Sequence, residues 1–301
     1  MSDANVCFLA SKNALSEDSE ERDLRHEFAL EFQALAPACA QRGITLTAQQ
    51  WDEAFDVEKY DAFMVGTVWD YFPQKDKFLQ SLNQIETRRP VFNPAKVIAW
   101  NIEKYYLREL ERLGAPSIPT MWADAPEPKT IEAAYDEFDT DQLVIKPLVG
   151  GGAWRQALLN RGEALPDREL LPLNACLIQP FLPSVPKEGE YSFLFFGGQF
   201  SHALQKVPRS GDYRVQSAYG ARELVHEPRA GEIELCEQVL DAARQATGEE
   251  TLLYARVDMV RGLTGALALM ELEIIEPYLY PEQGPNMGQV FAKALADKLS
   301  L

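Results

Sequence analysis

Three carboxylates near the C-terminus could form a site for a hard metal cation. Glu271 and Glu273 lie two residues apart in the apolar segment LMELEII, and such residues on a strand point to one face. Asp258, in ARVDMV, would approach them if the two segments pair through RGLTG, and Arg256 would share its face. Oxygen ligands of this kind suit Mg²⁺ bound to phosphate. The spacing equally fits the solvated face of an edge hairpin, so the residues alone leave both interpretations open.

Lys146 and a triple glycine could contact phosphate. Lys146 ends the apolar strand LVIKPL, and three glycines follow it at Gly150, Gly151 and Gly152. Glycines expose backbone N–H groups and can fold close over a phosphate, although such a run is more often a flexible loop. Lys104, in the charged segment WNIEKYYLRELERLG, is by composition alone a surface lysine.

Two further segments have both a functional and a structural interpretation. The stretch KVPRSGDYRVQSAYGAR carries Lys206 and Arg214 among its basic residues, which could grip carboxylate or phosphate or simply pair with the many acids. The stretch LIQPFLPSVPKEGEYSF could be a hinge, with Glu190 at the start of the next strand, or only a linker.

Bulk composition excludes several classes of function. The 301 residues carry a formal charge of −17, which disfavours nucleic acid and anionic membranes as partners. The four cysteines are widely spaced, and no signal-length or membrane-length apolar run is present, so we expect a cytoplasmic protein. The motifs HExxH, GxSxG and GxxxxGK[ST] are missing, which removes the main signals for zinc peptidases, α/β-hydrolases and P-loop enzymes.

The elements that must position these residues indicate an α/β protein. Strands and helices alternate over residues 1–95, which predicts an open parallel sheet with helices on its faces. After Asn93-Pro94, one helical run is expected to continue to Gly114. Gly197-Gly198 and RGLTG predict two hairpins. We divide the chain into an N-terminal domain (1–95), a small subdomain (96–178) and a C-terminal subdomain with the metal site (179–301).

Taken in order, these segments resemble the ATP-grasp superfamily, in particular its prokaryotic glutathione synthetase and ribosomal-S6-modification type. The resemblance covers essentially the whole chain and implies ATP held between two α+β subdomains. It implies that Lys104 and Lys146 bind ATP, with the three glycines as the loop over the phosphates. It also implies that QPFL is the adenine hinge and that the following acid takes the ribose hydroxyls, which adds to the cofactor-binding set Gln179, Phe181, Leu182 and Glu190.

The resemblance also suggests roles around the reacting atoms. GDYR resembles a loop whose arginine contacts the transferring phosphate and acyl group, so our candidate catalytic residues are Arg214, Lys206 and Arg256. Asp258, Glu271 and Glu273 match the positions that hold Mg²⁺ (or Mn²⁺). Many relatives have Asn at the last position, and the Glu273 found here adds negative charge.

Substrate contacts are expected beside this centre. The motifs WDYF, WN-x-x-K-YY and ELE-x-IEP-x-L resemble a subgroup that includes the cyclo-ligase forming D-cycloserine. Because of this resemblance, and because WDYF follows the third strand, our substrate candidates are Trp69, Asp70, Glu276 and Tyr278. Glu276 lies an odd number of residues from Glu273 and precedes Pro277, so we do not count it as a metal ligand. In similar proteins the residue near Gly66 is often arginine.

The function implied is an ATP- and Mg²⁺-dependent ligase. It would activate a small carboxylate as an acyl phosphate for attack by an amine, with amino-acid-like substrates and, as one form, intramolecular cyclisation. The alternatives are a phosphotransferase on the same fold and a non-catalytic nucleotide- or metabolite-binding protein. Relatives are often homodimers or homotetramers, and we expect the same range here.

Overall fold

The N-terminal part of the chain forms the predicted parallel sheet. In this computed structural model, which describes residues 3–16 and 22–301, its strand order is β2-β1-β3-β4. The strands are β1 (Ala4–Ala10), β2 (Ile44–Gln50), β3 (Ala62–Val65) and β4 (Val91–Phe92). Strands β1 and β3 are apolar and almost wholly buried, as a parallel sheet covered on both faces requires. The helices that follow in this part are α1 (Lys12–Leu15), α2 (Arg22–Ala40) and α3 (Lys75–Glu86).

A second, antiparallel sheet lies in the middle of the chain. Its strand order is β5-β8-β6-β7, and its strands are β5 (Met121–Ala123), β6 (Gln142–Pro147), β7 (Ala157–Asn160) and β8 (Cys176–Pro180). Before it come α4 (Ala95–Asn101) and α5 (Tyr106–Arg112), and α6 (Pro128–Glu137) packs on it through Ile131, Ala134 and Tyr135. The loop between β6 and β7 carries the triple glycine, so this sheet holds the expected phosphate-covering segment by both ends.

The C-terminal part forms a five-stranded antiparallel sheet of order β11-β10-β9-β12-β13. Its strands are β9 (Glu190–Phe196), β10 (Gln199–Val207), β11 (Arg222–Val225), β12 (Tyr254–Arg261) and β13 (Leu267–Glu273). The remaining helices are α7 (Val185–Glu188), α8 (Glu232–Thr247) and α9 (Met287–Leu299). Both predicted hairpins are present, β9–β10 at Gly197-Gly198 and β12–β13 at RGLTG. The α/β class expected from the sequence is confirmed.

Several helices pack across the domain limits that the sequence predicted. Helix α9 packs on helix α2 of the N-terminal part, where Gly288 lies so near the Ala34 carbonyl that a Cβ atom would come within 2.2 Å of the oxygen. Helices α4 and α5 pack partly against the large C-terminal sheet, because Val97, Tyr106 and Leu110 join its core. The predicted limit at residue 178 falls inside β8. Among the described residues, no helix is both long and apolar enough to cross a bilayer.

The helical run predicted up to Gly114 is interrupted. Helix α4 ends at Asn101 and α5 begins at Tyr106, and Lys104 lies in the break. There the Lys104 N–H donates to the Leu148 carbonyl at 2.9 Å, and the Asn101 side chain donates to the Leu272 carbonyl at 2.9 Å. Both partners are far away in the sequence, so the interruption is a product of tertiary contact.

Candidate active site

The three sheets meet around a cavity of about 420 Å³. A neighbouring cavity of about 80 Å³ shares Lys146 and Glu190 with it, so one compartment continues into the next. The larger cavity brings together most of the residues expected to do chemistry: Trp69, Lys104, Lys146, Gly150, Gly151, Gly152, Glu190, Lys206, Arg256, Asp258, Glu271, Glu273, Glu276 and Tyr278. Residues up to 209 positions apart in the chain thus share one space, as an active site requires.

The two lysines approach the cavity from different elements. Lys104 is held by the break between α4 and α5, and its Nζ donates to the Gly150 carbonyl at 3.0 Å and to Glu271 at 2.6 Å. Lys146, near the end of β6, has its Nζ 2.8 Å from the Met270 sulfur. Within the described part of the chain no carboxylate forms an ion pair with Lys146. Burial lowers the pKa of Lys146 to about 8, aided by the charge of Lys104 and opposed by Glu271.

The glycine loop lines the larger cavity beside these lysines. Gly150 and Gly152 have φ of +138° and +60°, backbone conformations that residues with a side chain rarely adopt. The Gly152 carbonyl accepts a hydrogen bond from the Tyr219 hydroxyl at 3.4 Å. The loop therefore connects the middle sheet to the segment that carries Arg214.

The smaller cavity contains the residues expected to hold adenine. Gln179, Phe181, Leu182 and Glu190 all line it, together with the apolar side chains of Ile118, Val144 and Met270. The Gln179 amide donates to the Thr120 hydroxyl at 2.9 Å, which orients it. Apolar walls with a few fixed polar groups are what a flat heterocyclic ring needs.

The three predicted metal ligands lie on two neighbouring strands, and each is paired with a protein cation. Asp258 on β12 stands opposite Glu271 on β13, with Glu273 next on the same face, as alternation predicted. Lys104 pairs with Glu271, while Arg256 pairs with both Asp258 and Glu273. Ser192 donates to Asp258 at 2.5 Å. Among the described residues, no group of three or more His, Cys, Asp or Glu side chains is arranged to hold a metal ion.

The donor set is nevertheless suited in kind to Mg²⁺. The three groups are carboxylates that line a common cavity, and hard oxygen donors are what this ion prefers. Burial would raise the pKa of Asp258, but the charges of Arg256 and Lys206 outweigh it and lower the value to about 2. Burial raises the pKa of Glu273 to about 7, with Asp258 and Glu271 adding to it against Arg256. The three carboxylates therefore repel one another, as the ligands of a cation do.

Lys206 and Arg256, predicted as catalytic, form a buried ionic network. Lys206 pairs with Glu190 and lies 3.5 Å from Asp258, while Arg256 Nε donates to Asp258 at 3.0 Å. Lys206 and Arg256 are only 4% and 6% exposed. Their charged groups therefore contact protein carboxylates rather than solvent. The geometry gives them a role in orienting Glu190, Asp258 and Glu273, and their catalytic role stays a prediction.

Arg214 points away from the larger cavity. Its guanidinium binds Asp212 through Nε at 3.0 Å and Nη2 at 2.7 Å, and it lies 3.8 Å from the centre of the Tyr219 ring. The hydrogen bonds from Arg214 hold the pKa of Asp212 well below its usual range. Arg214 lines only the smaller of the two cavities described above. Its contact with a transferring phosphate stays a prediction.

The substrate candidates divide into two groups. Trp69, Glu276 and Tyr278 line the larger cavity, and the Trp69 indole N–H donates to the Glu276 carbonyl at 3.0 Å. Asp70 does not, because its carboxylate turns to the other side of the loop and accepts from the Trp51 indole at 2.7 Å. In the structure Asp70 therefore has a structural partner, and its contact with substrate stays a prediction.

Glycine at position 66 also has a structural reason. A Cβ atom there would lie 2.1 Å from the ring of Phe8, which is fully buried. A larger residue at Gly66 would displace this ring. The basic residues that line the larger cavity, Lys104, Lys146, Lys206 and Arg256, come from later parts of the chain.

Several residues of the cavity were missed in the sequence. Tyr71 and Phe72 lie in the same WDYF motif as Trp69, and Trp154 follows the glycines; all three line the cavity. Their proximity to motifs already identified was the available signal. Gln216 lines both cavities, and its buried Oε1 has no hydrogen-bond partner. Nothing in its sequence context distinguishes it.

Comparison with known families divides the chain between two of them. Residues 125–277, about half of the chain, match the ATP-grasp domain of prokaryotic glutathione synthetase. Residues 6–93 match the N-terminal domain of D-cycloserine synthetase DcsG. The match over 125–277 begins after Lys104 and includes the glycine loop and the paired carboxylates.

Individual relatives agree with this division. The cycloserine biosynthesis protein DcsG of Streptomyces lavendulae is 28% identical over 281 residues, which cover 88% of this chain and 92% of that protein. Glutathione synthetase of Prochlorococcus marinus (strain MIT 9313) is 28% identical over 194 residues, which cover 61% of this chain and 56% of that protein. The latter similarity therefore spans only about half of the relative.

Solved structures show the same fold. The crystal structure of D-cycloserine synthetase DcsG superimposes with a TM-score of 0.85 at 21% identity and covers 98% of this chain and 99% of that one. D-alanine–D-alanine ligase from Bacillus anthracis in complex with ATP gives a TM-score of 0.64 at 16% identity, covering 99% and 96%. The three-sheet arrangement is thus that of known ligases.

Proposed function

Because the chain belongs to the prokaryotic glutathione synthetase type of the ATP-grasp ligases, which form C–N bonds with ATP, we propose that it joins a small carboxylate to an amine with Mg²⁺ as cofactor. The observation that carries the proposal is the state of Lys146. It is a cation enclosed beside the glycine loop, and among the described residues it has no carboxylate partner. A phosphate group would supply the missing negative charge.

The charges of the site suit a reaction through an acyl phosphate. The substrate carboxylate attacks the γ-phosphorus of ATP, and ADP leaves. The amine nitrogen then attacks the acyl carbon, phosphate departs, and the amide remains after loss of one proton. Lys104 and Lys146 stabilise the negative charge on the phosphoryl oxygens as it moves. The glycine loop covers the intermediate and keeps water from it.

Asp258, Glu271 and Glu273 are the proposed ligands of Mg²⁺ (or Mn²⁺). The bound ion would neutralise part of the charge on the phosphates. Lys104 would exchange its present partner, Glu271, for phosphate. This exchange requires no movement of the backbone, because the Lys104 side chain already reaches both the glycine loop and β13.

The size of the cavity favours a small substrate. A volume of about 420 Å³ must hold the terminal phosphates together with the acid and the amine. This is near the lower end of the range for small-molecule sites, about 300–1,000 Å³. Similarity to DcsG over most of both chains supports an amino-acid-like substrate, and ring closure within one molecule is included in the proposal.

The test is a screen of amino acids and small acids for ATP-dependent phosphate release, followed by mass analysis of the product. We expect an amide-containing product from at least one substrate pair. Lys146→Ala should then lower the rate by about a hundredfold or more, whereas Lys293→Ala, at an exposed site in α9, should leave it unchanged. Phosphate release by Lys146→Ala at the wild-type rate would show that the role of Lys146 is wrong.

Two further expectations belong to the same proposal. An enzyme that consumes ATP acts where ATP is supplied, so we propose a cytoplasmic location. The homodimer or homotetramer implied by the family stays a prediction, which light scattering coupled to gel filtration can test.

A further inference from the structure

Glu276 differs from Glu190, Asp258, Glu271 and Glu273, which line the same cavity, because each of those four carboxylates is paired with a lysine or arginine. It follows the end of β13 and lines the cavity together with Glu271 and Glu273. Lys104 pairs with Glu271, and Arg256 pairs with Glu273. Within the part of the chain that the structure describes, no lysine, arginine or histidine makes an ion pair with Glu276. Burial raises the pKa of Glu276 to about 8, and the charge of Lys104, which is paired with Glu271, offsets this only in part.

The surroundings of Glu276 are aromatic on the side of the N-terminal sheet. Trp69 is fixed by its hydrogen bond to the Glu276 carbonyl, and its ring meets that of Tyr278 edge to face, with centroids 6.4 Å apart. The buried Tyr71 hydroxyl hydrogen-bonds to the Glu276 carboxylate. On the glycine-loop side, Phe72 contacts Trp154 with ring centroids 5.9 Å apart.

This combination selects one kind of ligand. A buried carboxyl group without a cation is costly to ionise, so a positively charged ligand group that meets it stabilises its ionised form. Aromatic rings attract organic ammonium groups through their faces and offer no ligand to a hydrated metal ion, which needs oxygen donors. The metal-ligand candidates Asp258, Glu271 and Glu273 lie on β12 and β13, whereas Glu276 stands beyond the end of β13, next to the rings.

We propose that Glu276, with Trp69 and Tyr278, binds a protonated amino group of the substrate and so makes the enzyme specific for amino-bearing small molecules. The inference rests on the proposed ligase function and names the class of substrate that its site accepts. Phosphate is held on the side of Lys104 and Lys146, and the ammonium group is held on the side of Glu276. The two ends of the cavity therefore have opposite charge preferences.

The test compares amino compounds with their hydroxy analogues, using alanine with lactate and serine with glycerate, each as both enantiomers. Two measurements are made on the full chain in the presence of Mg²⁺: ATP-dependent phosphate release, and the rise in melting temperature with ADP present. The second reports binding whether or not a reaction follows.

We expect at least one amino compound to raise the melting temperature more than its hydroxy analogue does. Glu276→Gln should increase the half-saturating concentration of that compound by about tenfold to a hundredfold, the loss typical of a charge-assisted hydrogen bond. The half-saturating concentration of ATP should stay the same, which a general disturbance of the site would not allow. Glu276→Asp should recover part of the affinity. The control is Glu58→Gln, a loss of one charge at an exposed ion pair.

The outcomes separate the inference from the function on which it rests. Failure of every compound to drive phosphate release would overturn the ligase proposal, while selective thermal protection by the amino member, lost in Glu276→Gln, would still support the ammonium site. Equal effects of amino and hydroxy members in both measurements would overturn the ammonium site. So would a Glu276→Gln variant that keeps the wild-type preference, or one whose loss is reversed by raising Mg²⁺ alone.

Discussion

Replacing Asn93 with alanine should weaken the junction between the N-terminal sheet and the two carboxylate-bearing strands. The Asn93 Nδ2 donates to the carbonyls of Tyr254 at 3.0 Å and Ile274 at 2.9 Å. Its Oδ1 accepts from the Leu253 N–H at 2.8 Å. Asn93 is 1% exposed, so water does not readily replace these partners. One substitution therefore leaves three buried backbone groups unsatisfied.

The magnitude follows from these three bonds. Each buried polar group that loses its partner costs about 1–3 kcal/mol. Because small backbone shifts recover part of that energy, we expect Asn93→Ala to lower the free energy of unfolding by about 3–5 kcal/mol. For a chain of this size the melting temperature should fall by about 6–12 °C.

Urea unfolding followed by circular dichroism measures the loss. Asn83→Ala is a matched control, because the Asn83 amide donates to the Leu79 carbonyl at 2.7 Å at an exposed site. It should change stability by less than about 0.5 kcal/mol. If Asn93→Ala cost less than about 1 kcal/mol, the reasoning that these three bonds hold the junction would be refuted.

Three further changes have expected outcomes. Gly66→Ala places a methyl group against the buried ring of Phe8 and should cost about 1–3 kcal/mol in the same unfolding assay. Lys206→Met leaves Asp258 with less positive charge in a buried network and should cost about 3–5 kcal/mol. Burial raises the pKa of Glu31 to about 8, so the folded chain keeps a proton that the unfolded chain loses near pH 4.5. Stability should therefore fall as pH rises from about 5 to 8, with Glu31 contributing up to about 1.4 kcal/mol per pH unit, and Glu31→Gln should make this slope smaller by that contribution.

Each of these three expectations has a result that contradicts it. A Gly66→Ala protein as stable as the wild type would mean that the Phe8 ring has room to move. A stable Lys206→Met protein would show that the neighbouring acids are neutral without this cation. Parallel pH profiles for wild type and Glu31→Gln, measured from urea midpoints, would show that Glu31 titrates normally in the folded chain.

The order of the elements was accessible from local pattern, whereas their interruptions were not. Alternation of apolar and acidic residues correctly placed Glu271 and Glu273 on one face, because the period of a strand is a local property. The break that contains Lys104 depends on a hydrogen bond to the carbonyl of Leu148, which directly follows β6. No feature of the helical segment itself predicts this contact.

The direction of individual side chains was also decided by distant partners. Trp69 and Asp70 are neighbours in one motif, yet Trp69 lines the cavity and Asp70 accepts from Trp51. A motif determines which residues are present at a turn, but the surrounding packing selects the side to which each one points.

The sequence by itself determined the kind of protein and the kind of chemistry. Residue types and their order predicted the α/β class, the ligase family, two lysines for phosphate and a strand with two acids on one face, because these depend on local periodicity and on motif identity. Only the tertiary structure decided which charges meet. It paired Lys104 with Glu271 and Arg256 with Glu273, and within the described residues it gave Glu276 no ion-pair partner and placed it beside aromatic rings. Electrostatic interaction depends on distances through space, and those distances are set when the three sheets pack together.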